Sequence, residues 1–189
     1  MAHRSNHLIP MPSLKIIAAI ALALNAFTAC AHAEGPALQA PNVVPISASI
    51  VTSGQPTAES LAHLAEQGFK AVIYLAPPTV GDAIPEEREI VQRQGLAFVN
   101  IPIPFGKPTQ ADFEQFVEAM NRFKGGKVLV HCQVNMRAST MTFLYRTTVL
   151  REAPERAYEA VARVWSPEGP WKELIVAQLR KAKIAFEPY

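Results

Sequence analysis

The chain has 189 residues, 49% of them apolar and 18% charged, with a formal net charge of +2. That length supports one domain with its own core, and the composition is that of a globular protein, not a disordered or fibrous one. So small a net charge excludes a global field that would draw in nucleic acid or an anionic membrane.

Arg4 and Lys15 flank the start of an apolar run from Leu14 to Phe27, which ends in Ala31-His32-Ala33 before Glu34. A basic start, an apolar middle and a small-x-small exit predict a secretory signal peptide over residues 1–33, cleaved after Ala33. The run is shorter than the roughly 20 residues that span a bilayer, so no stable membrane insertion is expected after cleavage. The expected location is periplasmic or secreted. A lipoprotein anchored at Cys30 is the alternative, although Phe27, three residues earlier, is bulky for such a site. Cleavage removes two of the 18 basic side chains and leaves 16, equal to the 16 acidic ones. It also leaves Cys132 as the only thiol, so no internal disulfide is possible. A free thiol in an oxidising compartment is either an inert buried residue or a reactive one. The two remaining histidines, His63 and His131, form no cluster with metal spacing, so neither a metal nor a cofactor is expected.

Residues 34–48 form an extended lead-in rich in Pro and Ala; Ile46 to Val51 alternates weakly and is the first candidate strand. Ser53-Gly54-Gln55-Pro56 is a turn, and Thr57 an N-cap for a helix with Leu61, Leu64 and Ala65 on one face, ending at Gly68. Ala71 to Leu75 is a short apolar run, as in a parallel strand covered on both faces. After a loop to Ile84, Pro85 opens a helix whose Glu86 and Glu87 suit the positive end of its dipole. Ala97 to Ile101 is the next strand, broken by Pro102 and Pro104. Thr109 caps an amphipathic helix with Phe113, Phe116, Val117, Met120 and Phe123 on one stripe, stopped by Gly125-Gly126. Lys127 to His131 is the central strand, and residues 138–151 a helix with Met141, Leu144, Tyr145 and Val149 apolar. Helices from Pro154 to Val164 and from Lys172 to Lys183 follow, separated by a turn from Trp165 to Trp171. The alternation predicts a three-layer α/β domain over residues 49–189. A central, mostly parallel sheet is flanked by helices, with a helical C-terminal part.

The chemistry concentrates between His131 and Ser139. A buried strand leads into a tight loop opening on Cys132, with Arg137 at the mouth of a helix. Loop N–H groups, a helix N-terminus and a guanidinium all favour a thiolate and an anion beside it. Arg137 offers a planar, two-pronged donor for a tetrahedral oxyanion, and the backbone of Gln133, Val134, Asn135, Met136 and Arg137 supplies the cradle. Ser139 or Thr140 is a candidate hydroxyl donor to the sulfur. His131 either orients the loop or is an ordinary core histidine.

His131-Cys132 followed by Arg137, after an apolar strand and before a helix, resembles the protein tyrosine and dual-specificity phosphatases. Ser53-Gly54-Gln55-Pro56-Thr57, Gly68-Phe69-Lys70-Ala71-Val72-Ile73-Tyr74-Leu75 and Ile101-Pro102 are similar to small bacterial phosphatase-like domains, including those of beta-lactamase hydrolase-like proteins. Trp165, Pro167 and Trp171 resemble the tail of exported members, so the resemblance spans about Val51 to Val176. It implies hydrolysis of phosphomonoesters through a phosphocysteine on Cys132, with Arg137 as the oxyanion clamp.

Two departures matter. Four residues separate Cys132 from Arg137, where active tyrosine phosphatases have five, usually with a glycine; Asn135 is the member that tolerates left-handed backbone. The shorter spacing resembles the loop of rhodanese sulfurtransferases, which carry a persulfide. The phosphatases also take a general acid from the loop after the preceding strand, here residues 103–108, which hold no carboxylate. Asp112 is the nearest acid, in the first turn of the next helix, where a capping role is the simpler reading. Three functions are therefore open: a phosphatase, a sulfurtransferase or persulfide carrier, and a non-catalytic module that binds an anion or a phosphoprotein. The expected partner is a phosphate- or sulfur-containing small molecule, or a phosphoprotein.

Overall fold

The computed structural model describes residues 37–189, together with Met1 and His3. The expected signal peptide lies outside the described residues apart from these two, as does the start of the lead-in. The elements are β1 (Val44–Ser47), β2 (Ile50–Ser53), α1 (Ala58–Ala62), β3 (Phe69–Tyr74), α2 (Glu87–Arg93), β4 (Ala97–Asn100), α3 (Gln110–Arg122), β5 (Lys127–His131), α4 (Met136–Thr148), α5 (Pro154–Ala162) and α6 (Gly169–Lys181).

The sheet order is β1-β2-β5-β3-β4, with β5 between two parallel neighbours and β1 antiparallel at the edge. Val51 and Val72 lie beside Leu129 in register, and Ile73 beside Val130. The period-2 alternation sends these residues to two cores. Val51, Val72 and Leu129 pack with Leu61, Leu64 and Val91 from α1 and α2. Ile50, Ile73, Val128 and Val130 pack with Phe113, Phe116, Met141, Tyr158 and Trp171 from α3 to α6. This is the expected three-layer architecture.

Several boundaries differ from the sequence expectation. The lead-in and first candidate strand are instead a hairpin, with Val44 buried in β1. Pro45 is tolerated there because an edge strand need not use every donor. α1 ends at Ala62, well short of Gly68. α4 begins at Met136, so Arg137 lies inside its first turn. α6 begins at Gly169, where Pro170 pre-sets the first turn, and so takes in Trp171. The caps follow expectation: Thr57 accepts from Ser60 N–H at 3.1 Å, and Thr109 accepts from Asp112 N–H at 3.2 Å.

α4 is buried from Arg137 to Thr147, because α5 and α6 cover the face that the sheet does not. Its one far-end cation, Arg146, meets Glu152 with two parallel bonds, Nε to Oε2 at 2.8 Å and Nη2 to Oε1 at 2.7 Å, and donates from Nη1 to the Ala157 carbonyl at 3.1 Å. This ties α4 to the start of α5. The hydrogen bond from Arg146 holds the Glu152 carboxyl below its ordinary range; the charges of Arg146 and Arg156 add to this, and burial opposes it.

Between β2 and α1, Gly54 runs against the loop after β5. It pairs with Val134 in an isolated antiparallel bridge. A Cβ there would lie 2.6 Å from the Gln133 carbonyl oxygen and 2.8 Å from Pro41 Cβ, so only glycine fits without displacing backbone.

Two outcomes follow. Gly54→Ala should cost about 1–3 kcal/mol, the range for overpacking, read as a lower midpoint in chemical denaturation. A depressed folded pKa at Glu152 means that its contribution is complete above the unfolded value of about 4.3 and is lost as pH falls through the lower folded value. Glu152→Gln should therefore lower Tm at neutral pH and flatten the acid limb of a stability–pH profile.

Candidate active site

β5 carries the chain to the carboxyl edge of the parallel strands, where crevices form in open α/β sheets. Cys132 extends the ladder by one bond, its N–H donating to the Ser53 carbonyl at 3.2 Å, and its side chain is fully buried. The chain then turns through Gln133 and Val134 into Asn135, which caps α4 in the left-handed region, φ 72° and ψ −1°. Asn135 suits this position because a short polar side chain lowers the cost of left-handed backbone. Its carbonyl accepts from Ser139 N–H at 2.8 Å, and its Nδ2 donates to the Asn42 carbonyl at 2.6 Å and to Thr52 Oγ1 at 3.1 Å. Among the described residues, the N–H groups of Gln133, Val134, Met136 and Arg137 donate to no carbonyl of another element. Those of Met136 and Arg137 belong to the first turn, which a helix leaves without internal partners. They are free to face an anion.

Arg137 is 4% exposed. Its Nε donates to the Ile103 carbonyl at 2.9 Å, its Nη1 to Gln133 Oε1 at 3.4 Å, and its guanidinium lies 5.1 Å from the Phe105 ring centroid. Nε is thus spent on holding the group in place, while Nη2 and the rest of Nη1 remain for a ligand. Phe105 sits between Trp165 and Trp171, 5.8 Å from each, and its carbonyl accepts from Trp171 Nε1 at 2.7 Å. The loop of residues 103–108 therefore supplies a wall and an anchor for the arginine, although it has no acid.

His131 is fully buried, with Nε2 2.6 Å from Glu87 Oε1 and its ring stacked on Tyr74 at 4.8 Å. The approach to Glu87 is an ion-pair distance without hydrogen-bond alignment. Glu87 lies in the first turn of α2, at the positive end of its dipole as the sequence predicts, but it is 3% exposed and turned inward. Its Oε2 accepts from Gln55 Nε2 at 2.9 Å, and Gln55 N–H donates to the Gln133 carbonyl at 2.9 Å. Burial, then the charges of Glu87 and Asp82, push the Tyr74 phenol above its ordinary range, with Arg137 acting in the opposite direction. Tyr74 stays neutral and donates to the Pro77 carbonyl at 3.3 Å.

The other sequence candidates divide. Ser139 Oγ donates to the Met136 carbonyl at 3.2 Å, so in this geometry it serves the helix and not the sulfur. Thr140 Oγ1 is buried without a partner among the described residues. Asp112 closes a capping box, its Oδ2 accepting from Thr109 N–H at 2.8 Å and from Thr109 Oγ1 at 2.7 Å, so this oxygen serves the cap. Sequence reasoning missed Glu87, Gln55, Phe105 and Asp82. Gln133 Nε2 donates to Asp82 Oδ1 at 2.8 Å, placing an acid from the loop after β3 beside the cysteine loop. Only the Ser53-Gly54-Gln55-Pro56 run carried a signal for any of these.

Comparison with known proteins agrees with this geometry. A family model described as DSP-PTPase phosphatase fused to NAD+ kinase matches residues 40–172. The beta-lactamase hydrolase-like protein of Xylella fastidiosa is 31% identical over 99 residues, 51% of this chain and 23% of that protein. The chain thus spans under a quarter of the curated relatives it matches. A DUF442 protein from Shewanella putrefaciens superposes with a TM-score of 0.70 at 28% identity, covering 76% of this chain and 94% of its own. TpbA of P. aeruginosa, solved with phosphotyrosine, shares the fold, with a TM-score of 0.53, 20% identity, and coverage of 79% of this chain and 88% of that one. With the family matched over residues 40–172, the chain belongs to the dual-specificity and tyrosine phosphatase family, a family of hydrolases.

Proposed function

We propose that the protein is an exported, cysteine-dependent phosphatase that hydrolyses phosphomonoesters through a phosphocysteine on Cys132. The observation that carries this reading is the placement of Arg137. A guanidinium pinned by the Ile103 carbonyl and the Phe105 ring, in the first turn of α4, leaves donors for an oxyanion at the loop that opens on Cys132. The thiolate attacks phosphorus, the bond to the ester oxygen breaks and the alcohol leaves with its electron pair, and the freed N–H groups of the loop with Arg137 hold the non-bridging oxygens as charge shifts in the transition state. Water then attacks the phosphocysteine, releasing phosphate and regenerating the thiolate. Glu87 and Gln55 position the loop by fixing His131 on one side of it and the Gln133 carbonyl on the other. The basic, apolar and small-residue order of residues 1–33 supports export to the periplasm, with lipidation at Cys30 as the alternative.

Sulfur transfer is the second reading. It is favoured by the four-residue spacing of Cys132 and Arg137 and by the commitment of Asp112 to a cap, since a persulfide forming on a thiolate needs no general acid.

The purified protein should hydrolyse an aryl phosphate. Cys132→Ser should abolish turnover, and Arg137→Ala should lower kcat by about 10²–10³-fold, as for loss of one oxyanion donor. Thiocyanate formation from thiosulfate and cyanide, without phosphate release, would support the sulfur reading. Oxyanion binding without turnover, retained in Cys132→Ser, would mark a non-catalytic binder.

A further inference from the structure

A phosphatase with no general acid loses about 10²–10⁴-fold on substrates with poor leaving groups. Asp112 is tied to its helix cap through Oδ2, and both Glu87 oxygens face partners inside the fold. Asp82 is placed otherwise. It lies in the loop that follows β3, the strand next to β5, so its loop leaves the sheet at the same carboxyl edge as the cysteine loop. Its Oδ1 accepts from Gln133 Nε2 at 2.8 Å, and its Oδ2 takes no hydrogen bond among the described residues. The other end of the same amide, Gln133 Oε1, accepts from Arg137 Nη1 at 3.4 Å. One side chain, on the residue after the nucleophile, therefore spans from the anion clamp to the carboxylate.

Exposure grades outward along this line. Cys132 is fully buried, Gln133 half-buried and Asp82 exposed. A phosphomonoester needs the same order, with the nucleophile at the base, the phosphoryl group against the arginine, and the leaving oxygen toward solvent. The charges of Glu87 and Asp82 push the Tyr74 phenol up and that of Arg137 opposes them, so Asp82 shares the field of the site.

We propose that Asp82, tethered by Gln133, is the general acid, supplied by the loop after β3 in place of the loop after β4; this rests on the phosphatase reading above. In the first step the Cys132 sulfur bonds to phosphorus, the bond from phosphorus to the ester oxygen breaks, and that oxygen takes the electron pair and the proton from Asp82 Oδ2. The alcohol departs and Asp82 is left as carboxylate. In the second step Asp82 takes a proton from water as the water oxygen bonds to phosphorus, the sulfur–phosphorus bond breaks, and the thiolate and inorganic phosphate are restored.

The test compares Asp82→Asn with wild type on two esters, phenyl phosphate and 2,4-dinitrophenyl phosphate. The variant is isosteric and exposed, and an unchanged Tm would exclude misfolding. On phenyl phosphate kcat/KM, which reports the first step, should fall by about 10²-fold or more, whereas on the dinitrophenyl ester, whose leaving group needs no proton, it should fall less than about threefold. The fall of kcat/KM on the basic limb of the pH profile, where a general acid is deprotonated, should also disappear. An equal loss of kcat/KM on both esters, or no loss on either, would overturn this inference and leave the phosphatase reading standing. A wild type inactive on both esters would overturn the two together.

Discussion

Glu87 is 3% exposed and lies between His131, 2.6 Å away at the end of β5, and Gln55, 2.9 Å away at the start of the β2–α1 connection. The top of the central strand depends on this contact. Placing a carboxylate and an imidazole out of water is unfavourable unless they are paired, and here each lies against the other inside the fold. The geometry spreads that constraint across the sheet. Gln55 carries it to the Gln133 carbonyl through its own N–H, and His131 carries it to Tyr74 by stacking. Three elements and the cysteine loop are thus fixed against one buried carboxylate, and none of these groups needs to touch a substrate.

A second constraint acts from the other side of the loop. Asn135 in left-handed backbone turns the chain into α4 within three residues of Cys132. Four intervening residues then suffice to bring Arg137 to the loop, because the first turn of the helix begins at Met136. The shortened spacing is compatible with an arginine clamp; Ile103 and Phe105 hold that clamp from the neighbouring loop. The proposed nucleophile and clamp come from contiguous sequence, whereas the groups that orient them, and the proposed proton donor, come from other segments.

That division accounts for what was legible in the sequence. β3, β5 and β4 stand out as short apolar runs, α3 as an aromatic stripe, and Thr57 and Thr109 as caps, because each depends on residues only a few positions apart. Cys132, Asn135 and Arg137 were legible for the same reason. Glu87 was not: a glutamate opening a helix looks the same whether it faces water or His131, 44 positions further along. Asp82 lay in an ordinary Gly-Asp turn, 51 residues from the Gln133 it meets. The β1 strand was hidden by Pro45, whose missing donor argues against a strand unless the strand lies at the edge of a sheet. Helix α4 ran counter to amphipathic expectation because helices cover it on the side away from the sheet, so Thr147 is buried and returns its hydroxyl to the Phe143 carbonyl at 2.9 Å.

The central claim is that Cys132, cradled by the loop and clamped by Arg137, takes a phosphoryl group covalently. Rapid acid quench during turnover of an aryl phosphate, followed by mass spectrometry of the peptide containing Cys132, tests it most directly. The account predicts a phosphoryl adduct on that peptide that decays as phosphate appears. An unmodified thiol while phosphate is released, or a sulfur adduct in its place, would contradict it.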